Sequence, residues 1–283
     1  MAGKLPRASI PTEKTLSALT TTTYLAAEDD GFHAPSLVDF FPPAILFEDT
    51  IFEFNRVNLV QLIMTIAVAS FFIIAFRNPK IVPRGIQNLG ELAVNFVQVQ
   101  IIDTIMGASG RRYLPYMVTL FFFILAMNIA GVIPFLNLAG TSVVAIPMML
   151  AVLAWVVFNA AGIRKHGFGS YMKSNLFPPG VPKLIYVLLT PIEFLSTFIL
   201  RPITLTIRLL ANMMAGHLML VLFFSGANYL LLDADTVLKP FGLGAVAMGF
   251  FITAFEILVA VLQAYIFTLL TALYIAGAES ESH

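Results

Sequence analysis

No cysteine occurs among the 283 residues, which excludes disulfides, thiolate metal sites and CxxC redox chemistry. Charge is scarce as well: 11% of residues are charged, against roughly 25% in an ordinary soluble domain. Lys plus Arg equal Asp plus Glu at 16 each, a balance that gives no reason to expect a nucleic-acid partner. There is no GxxxxGK[ST] segment; GASGRR at 107–112 has neither the spacing nor the lysine, so a P-loop for ATP is excluded. HExxH and comparable metal spacings are missing, with His33, His166 and His283 scattered in tails and loops, and no Gly-x-Ser-x-Gly elbow is present. The sequence therefore calls for no metal, no cofactor and no catalytic residue of its own.

What is present is hydrophobicity. Apolar residues make up 59% of the chain and mean hydropathy is +0.89. Several runs reach the ~20 apolar residues that a helix needs to cross a bilayer, and the dyad alternation of an outer-membrane barrel is absent. The expected fold is an all-α polytopic membrane protein with about five membrane-embedded helices and one amphipathic helix. Residues 1–56 read as an N-terminal extramembrane tail and interfacial segment, 57–277 as the membrane domain and 278–283 as a C-terminal tail. The first 31 residues are Ser/Thr-rich, but arginine is sparse and no signal-peptide core is evident, so a polar tail fits better than a transit peptide.

Within the membrane domain, helical elements are expected at 57–76, 116–136, 141–162, 184–232 and 238–277. In 85–106, Asn88, Glu91, Asn95 and Gln98 recur at three and four residues against Leu89, Leu92, Phe96 and Val99, which predicts an amphipathic helix at the interface or against the bundle. The last two elements are too long to stand upright. Segment 184–232 would make about 73 Å of helix, more than twice a ~30 Å core. It must break, at Pro191 or Pro202, or lie strongly tilted. With the short polar stretch before 238, the two elements form a long helical hairpin.

Loop charges orient the chain. Arg77, Lys80, Arg84, Arg111 and Arg112 precede the second span, and Arg164, Lys165, Lys173 and Lys183 follow the third. Segments 137–141 and 226–237 carry no basic residue, and the latter holds Asp233 and Asp235. The positive-inside rule then places the N-terminus outside and the C-terminus in the cytoplasm. Lys4, Arg7, Lys14 and Arg56 mildly oppose this assignment.

Arg208 is the sharpest single feature. An arginine in mid-span costs ~2.5–3.5 kcal/mol on insertion scales and should face protein or water for a purpose. Roughly ten apolar residues on either side leave little room for snorkelling. At ~100° per residue, Asn212, Ala215 and Met219 share its face, whereas His217 falls opposite. Small Ala211, Ala215 and Gly216 permit close approach of another helix. Arg201, one heptad earlier, serves either the same purpose or as an interfacial anchor. In the last element Glu256 and Gln263 share a face, while Tyr265 and Tyr274 read as packing or interface aromatics. A glutamate in such a run must be protonated, partnered or hydrated, the states a proton relay uses. Antiparallel packing of the hairpin brings it toward His217, and imidazole is the side chain whose ordinary charge change falls near neutrality. A buried hydrogen-bonded pair with no transport role is the alternative.

Three segments, IRLLANMMAGH (207–217), EILVAVLQAYIFTLLTALYI (256–275) and, more weakly, NIAGVIPF (128–135), together with the element order resemble the subunit a family of the rotary F-type ATP synthases. The N-terminal FHAPSLVDFFPPAILFEDT and the acidic tail are more similar to actinobacterial members than to mitochondrial ones. The resemblance implies a non-catalytic, proton-conducting stator in the bacterial cell membrane, or alternatively the mitochondrial inner membrane, partnered by a ring of c subunits, the b-subunit peripheral stalk, the remaining synthase subunits and lipid. It implies that Arg208 faces the ring's carboxylates, that Asn212 and Gln263 line the same interface with Gln263 near Arg208, and that His217 and Glu256 lie in the outer of two aqueous half-channels. The tilted hairpin would then wrap the ring. Two other readings remain at this point: a secondary transporter with an Arg/His/Glu relay, which would favour internal repeats and broken helices, and a structural scaffold.

Overall fold

The computed structural model describes residues 44–46, 54–133, 136, 138–177 and 185–280, all within one unit, Pro35–His283. Most of the expected N-terminal tail and the last three residues lie outside the described residues. The fold is all-α and polytopic, with five helical stretches long and apolar enough to cross a membrane. A small exception precedes the first span, where β1 (Ala44–Leu46) pairs antiparallel with β2 (Phe54–Asn55).

Helix α1 (Arg56–Phe76) starts at Asn55, whose side chain accepts a hydrogen bond from the Asn58 amide at 3.0 Å. This satisfies one of the donors that a helix start leaves open. Helix α2 (Ile86–Val97) continues into a π-helical turn, Gln98–Asp103. Its apolar stripe is turned outward, with Leu89, Leu92, Phe96 and Val99 exposed. The inward side is held instead by Gln87, which accepts from the Lys80 amide at 3.0 Å and donates to the Lys80 carbonyl at 2.9 Å and to Glu91 at 2.8 Å. The polar positions Asn88 and Asn95 are exposed as well, while Val97 and Ile101 are fully buried, so the helix seats on the bundle through Gln87, Gly90 and Val97.

A 3-10 turn (Gly107–Tyr113) leads into α3 (Leu114–Ile129), with Pro115 in its first turn where no amide partner is needed. The helix stops at Ile129 rather than running to 136, and the chain folds back so that the Gly140 amide donates to the Met127 carbonyl at 3.1 Å. Helix α4 (Ala145–His166) carries Arg164, Lys165 and His166 in its last turn, complementing the negative end of the helix dipole. It ends at Gly167, whose φ of 77° lies in the left-handed region that glycine enters without steric cost. The short α5 (Phe168–Leu176) docks through Tyr171, which is buried and donates to Asn159 at 3.1 Å.

The long apolar segment resolves into α6 (Tyr186–Phe194), a π-helical turn (Leu195–Leu200) and α7 (Arg201–Leu232). Neither proline ends it. Pro191 sits inside α6, and the ladder is disturbed just beyond it; Pro202 occupies the first turn of α7. A proline removes one ladder donor and crowds the preceding turn, and a π turn absorbs such a fault without breaking the rod. Helix α8 (Lys239–Glu279) runs 41 residues without interruption.

Helices α7 and α8 pack most extensively with each other, α4 lies against both, and α3 covers α8. The core they share includes the fully buried Met117, Ile124, Phe158, Leu205, Leu209 and Phe267. A second, smaller cluster of Val60, Met64, Met127 and Ala130 joins α1 to α3.

Candidate functional site

The α7/α8 hairpin carries every candidate residue, and it sorts them by depth. Arg208, Asn212 and Ala215 are exposed, as is Met219, so the helical spacing read from the sequence is realised as one outward stripe. Arg208 makes no hydrogen bond or ion pair among the described residues, and the adjacent Leu209 is fully buried. A guanidinium turned outward at mid-helix is a charge that the described residues leave uncompensated.

Behind the stripe lies a row of buried polar side chains. His217 and Glu256 are each 5% exposed and Gln263 is 3% exposed. The Asn212 amide donates to the Gln263 carbonyl oxygen at 2.6 Å, tying the outward face of α7 to the inward face of α8. Among the described residues neither carboxyl oxygen of Glu256 has a hydrogen-bond partner, and Gln263 Nε2 is unmatched too. Such orphaned polar atoms are costly unless water, a proton or a partner reaches them.

His217 and Glu256 are brought to the same level of the hairpin, as antiparallel packing predicts, yet no hydrogen bond joins the carboxyl to the imidazole. The carboxyl lies instead against the backbone of Gly216, where an added Cβ would stand 2.8 Å from Oε1. Gln263, expected near Arg208, is bound to Asn212, one turn from Arg208 on α7.

Two residues outside the sequence-derived set belong to this neighbourhood. Asn128 of α3 accepts from Thr141 at 2.7 Å and lines a narrow cavity with Asn212, Glu256 and Gln263. Its only signal in the sequence was its place at the head of NIAGVIPF. Gly216 was noted merely as small, although it is the residue that admits the Glu256 carboxyl. Arg201, by contrast, belongs elsewhere: its guanidinium lies 5.0 Å from the Tyr274 ring centroid and 5.8 Å from that of Phe158, an aromatic seat that fits the anchor reading. Among the described residues no cluster of His, Asp and Glu could hold a metal ion.

A five-span membrane protein with an outward arginine and a buried polar row behind it has the features of an ion-conducting membrane subunit. Comparison with known proteins specifies which kind. The family model for the ATP synthase A chain matches residues 58–276. ATP synthase subunit a of Rhodococcus erythropolis is 51% identical over 264 residues, covering 93% of this chain and 94% of the relative. The subunit a of a Parafrankia species is 46% identical, covering 90% and 87%, and that of Streptomyces lividans is 35% identical, covering 93% and 95%. The chain belongs to the ATP synthase A chain family, the proton-translocating stator subunits of the F0 sector. The secondary-transporter alternative has no support in these matches.

Proposed function

We propose that this chain is the non-catalytic stator of a bacterial rotary ATP synthase, and that Arg208, Asn212, Gln263, His217 and Glu256 carry its part in proton transfer. The chain would contact the ring of c subunits through the exposed stripe of α7, and the b-subunit stalk and lipid elsewhere. The nine basic loop residues support an N-terminus outside and a C-terminus in the cytoplasm. The single observation that carries this reading is the outward position of Arg208, without a partner among the described residues, in front of the buried Gln263, Glu256 and His217.

The physics of that arrangement is direct. A fixed positive charge at mid-membrane favours the ionised form of a ring carboxylate that comes opposite it, so the carboxylate gives up its proton there. The same charge repels a free proton and interrupts any continuous wire across the bilayer. Protons must therefore travel with the ring between an outer half-channel, in which His217 and Glu256 exchange protons with water, and an inner one. Asn212 and Gln263 position the surface of α7 through their hydrogen bond. Each charge moved through 100 mV releases ~2.3 kcal/mol, so several protons are needed per ATP.

The test uses inverted membrane vesicles carrying wild type or Arg208→Ala, recording ATP-driven acidification of the lumen beside ATP hydrolysis. Loss of pumping in an assembled complex is expected. Unchanged pumping would return Arg208 to a structural role and reject the mechanism.

A further inference from the structure

A cleft of about 790 Å³ opens at the other end of α8 from the hairpin turn, where the C-termini of α4 and α8 meet the 3-10 turn Gly107–Tyr113. Its rim is basic, formed by Arg112, Arg164 and Lys165 with the hydroxyl-bearing Ser109, while Met106 and Ala161 supply apolar wall. Among the described residues one carboxylate lines the cleft, and it is already engaged. Glu279 accepts from Arg112 and from the Tyr113 hydroxyl through its side chain, and its backbone carbonyl accepts from Lys165 Nζ at 2.6 Å. Three cations against one anion leave the described lining net positive. Arg164 is exposed and makes no hydrogen bond or ion pair among the described residues.

These residues terminate membrane spans, so they lie at the depth where hydrocarbon gives way to headgroups. Basic pockets between helices at that depth suit anionic lipid headgroups. We propose that this cleft binds the phosphate of an anionic glycerophospholipid, with Arg164 as its forked donor, Lys165 beside it, and the glycerol and upper acyl carbons on Met106 and Ala161. Arginine is suited to the task because its planar donors match phosphate oxygens two at a time. Free phosphate shares the anion chemistry, but it would leave the apolar wall unmatched and fill only a small part of the volume. The site is independent of Arg208 and of the hairpin's polar row, so its failure would leave the proton-path reading untouched.

The experiment purifies the intact synthase complex, exchanges it into detergent with excess zwitterionic lipid, and quantifies retained anionic phospholipid by extraction and mass spectrometry. Wild type should retain more anionic lipid than Arg164→Gln, with roughly a tenfold weaker hold in the variant, as expected for one lost charge-assisted contact. Arg164→Lys, which keeps the charge but not the fork, should fall between them; subunit composition on a native gel confirms that each variant assembles. Millimolar inorganic phosphate should leave the retained lipid in place. Equal retention by wild type and Arg164→Gln, or displacement of the lipid by inorganic phosphate, overturns the proposal.

Discussion

The Glu256 carboxyl rests on the backbone of Gly216, so close that a methyl group there would stand 2.8 Å from Oε1. A carboxyl of α8 thus occupies space that any other residue of α7 would fill, beside the buried His217. Substituting Gly216 by alanine must turn the carboxyl aside, which a side chain can do at modest cost, whereas valine leaves it far less room. Proton flux through vesicles, followed with a pH-sensitive dye, should fall severalfold in Gly216→Ala and further in Gly216→Val, with ATP hydrolysis by the complex retained. Undiminished flux in the valine variant would mean that the position of Glu256 does not matter to transport.

The Asn212 to Gln263 hydrogen bond, at 2.6 Å, is the polar tie between the two long helices at the level of Arg208's neighbouring turn. Its net contribution should be about 1 kcal/mol, the ordinary value for a neutral pair. Asn212→Ala, Gln263→Ala and the double variant, compared by thermal unfolding of the assembled complex, should show coupling of that size. Strict additivity would show that the contact is incidental.

Gly162 gives Tyr171 its seat, since a Cβ at 162 would come within 2.2 Å of the tyrosine ring. Alanine is the better helix former by about 1 kcal/mol, but overpacking a buried contact costs typically 1–3 kcal/mol. Gly162→Ala should therefore lower the melting temperature of the complex. Combining it with Tyr171→Leu should recover part of the loss, because the smaller side chain vacates the ring's position. A neutral or stabilising Gly162→Ala would show that α5 is not seated as described.

Glu279 fastens the end of α8 to the turn before α3 through Arg112 and Tyr113. The arginine side chain is 58% exposed, so water screens the pair and it should contribute no more than roughly 1 kcal/mol. Glu279→Gln is expected to leave assembly intact and to speed amide hydrogen exchange in the last turn of α8 selectively. Uniform acceleration along α8, or none, would contradict a local fastening.

Much of this was legible before any coordinates. Helical periodicity put Arg208, Asn212, Ala215 and Met219 on one stripe, and hydrophobic length alone flagged the hairpin as oversized. What the sequence could not show were features created by contact between distant segments. The seat of Glu256 on Gly216, the aromatic seat of Arg201 and the tie from Asn128 to Thr141 have no one-dimensional signature. The seating of α2 was open for a different reason: Leu89, Leu92, Asn88 and Asn95 are all exposed, and the contact runs through Gly90 and Val97, which the polar and apolar periodicity does not single out. The choice between a break at a proline and one long rod stayed open in the sequence, because nothing in it signals the π turn at Leu195–Leu200 that lets the chain carry Pro191 without stopping.

The continuous path from Tyr186 to Leu232 spans 47 residues, about 70 Å of helix against a core about 30 Å thick, and on the reading proposed above it would run more along the plane of the membrane than across it. That geometry matters mechanically. An upright post gripping a turning wheel is bent by every push, whereas a rod laid along the direction of the push is compressed along its own hydrogen-bond ladder. In a stator, a lengthwise strut with α8 alongside it would carry reaction force without flexing, and the stationary charge at Arg208 would keep its place while the load passes.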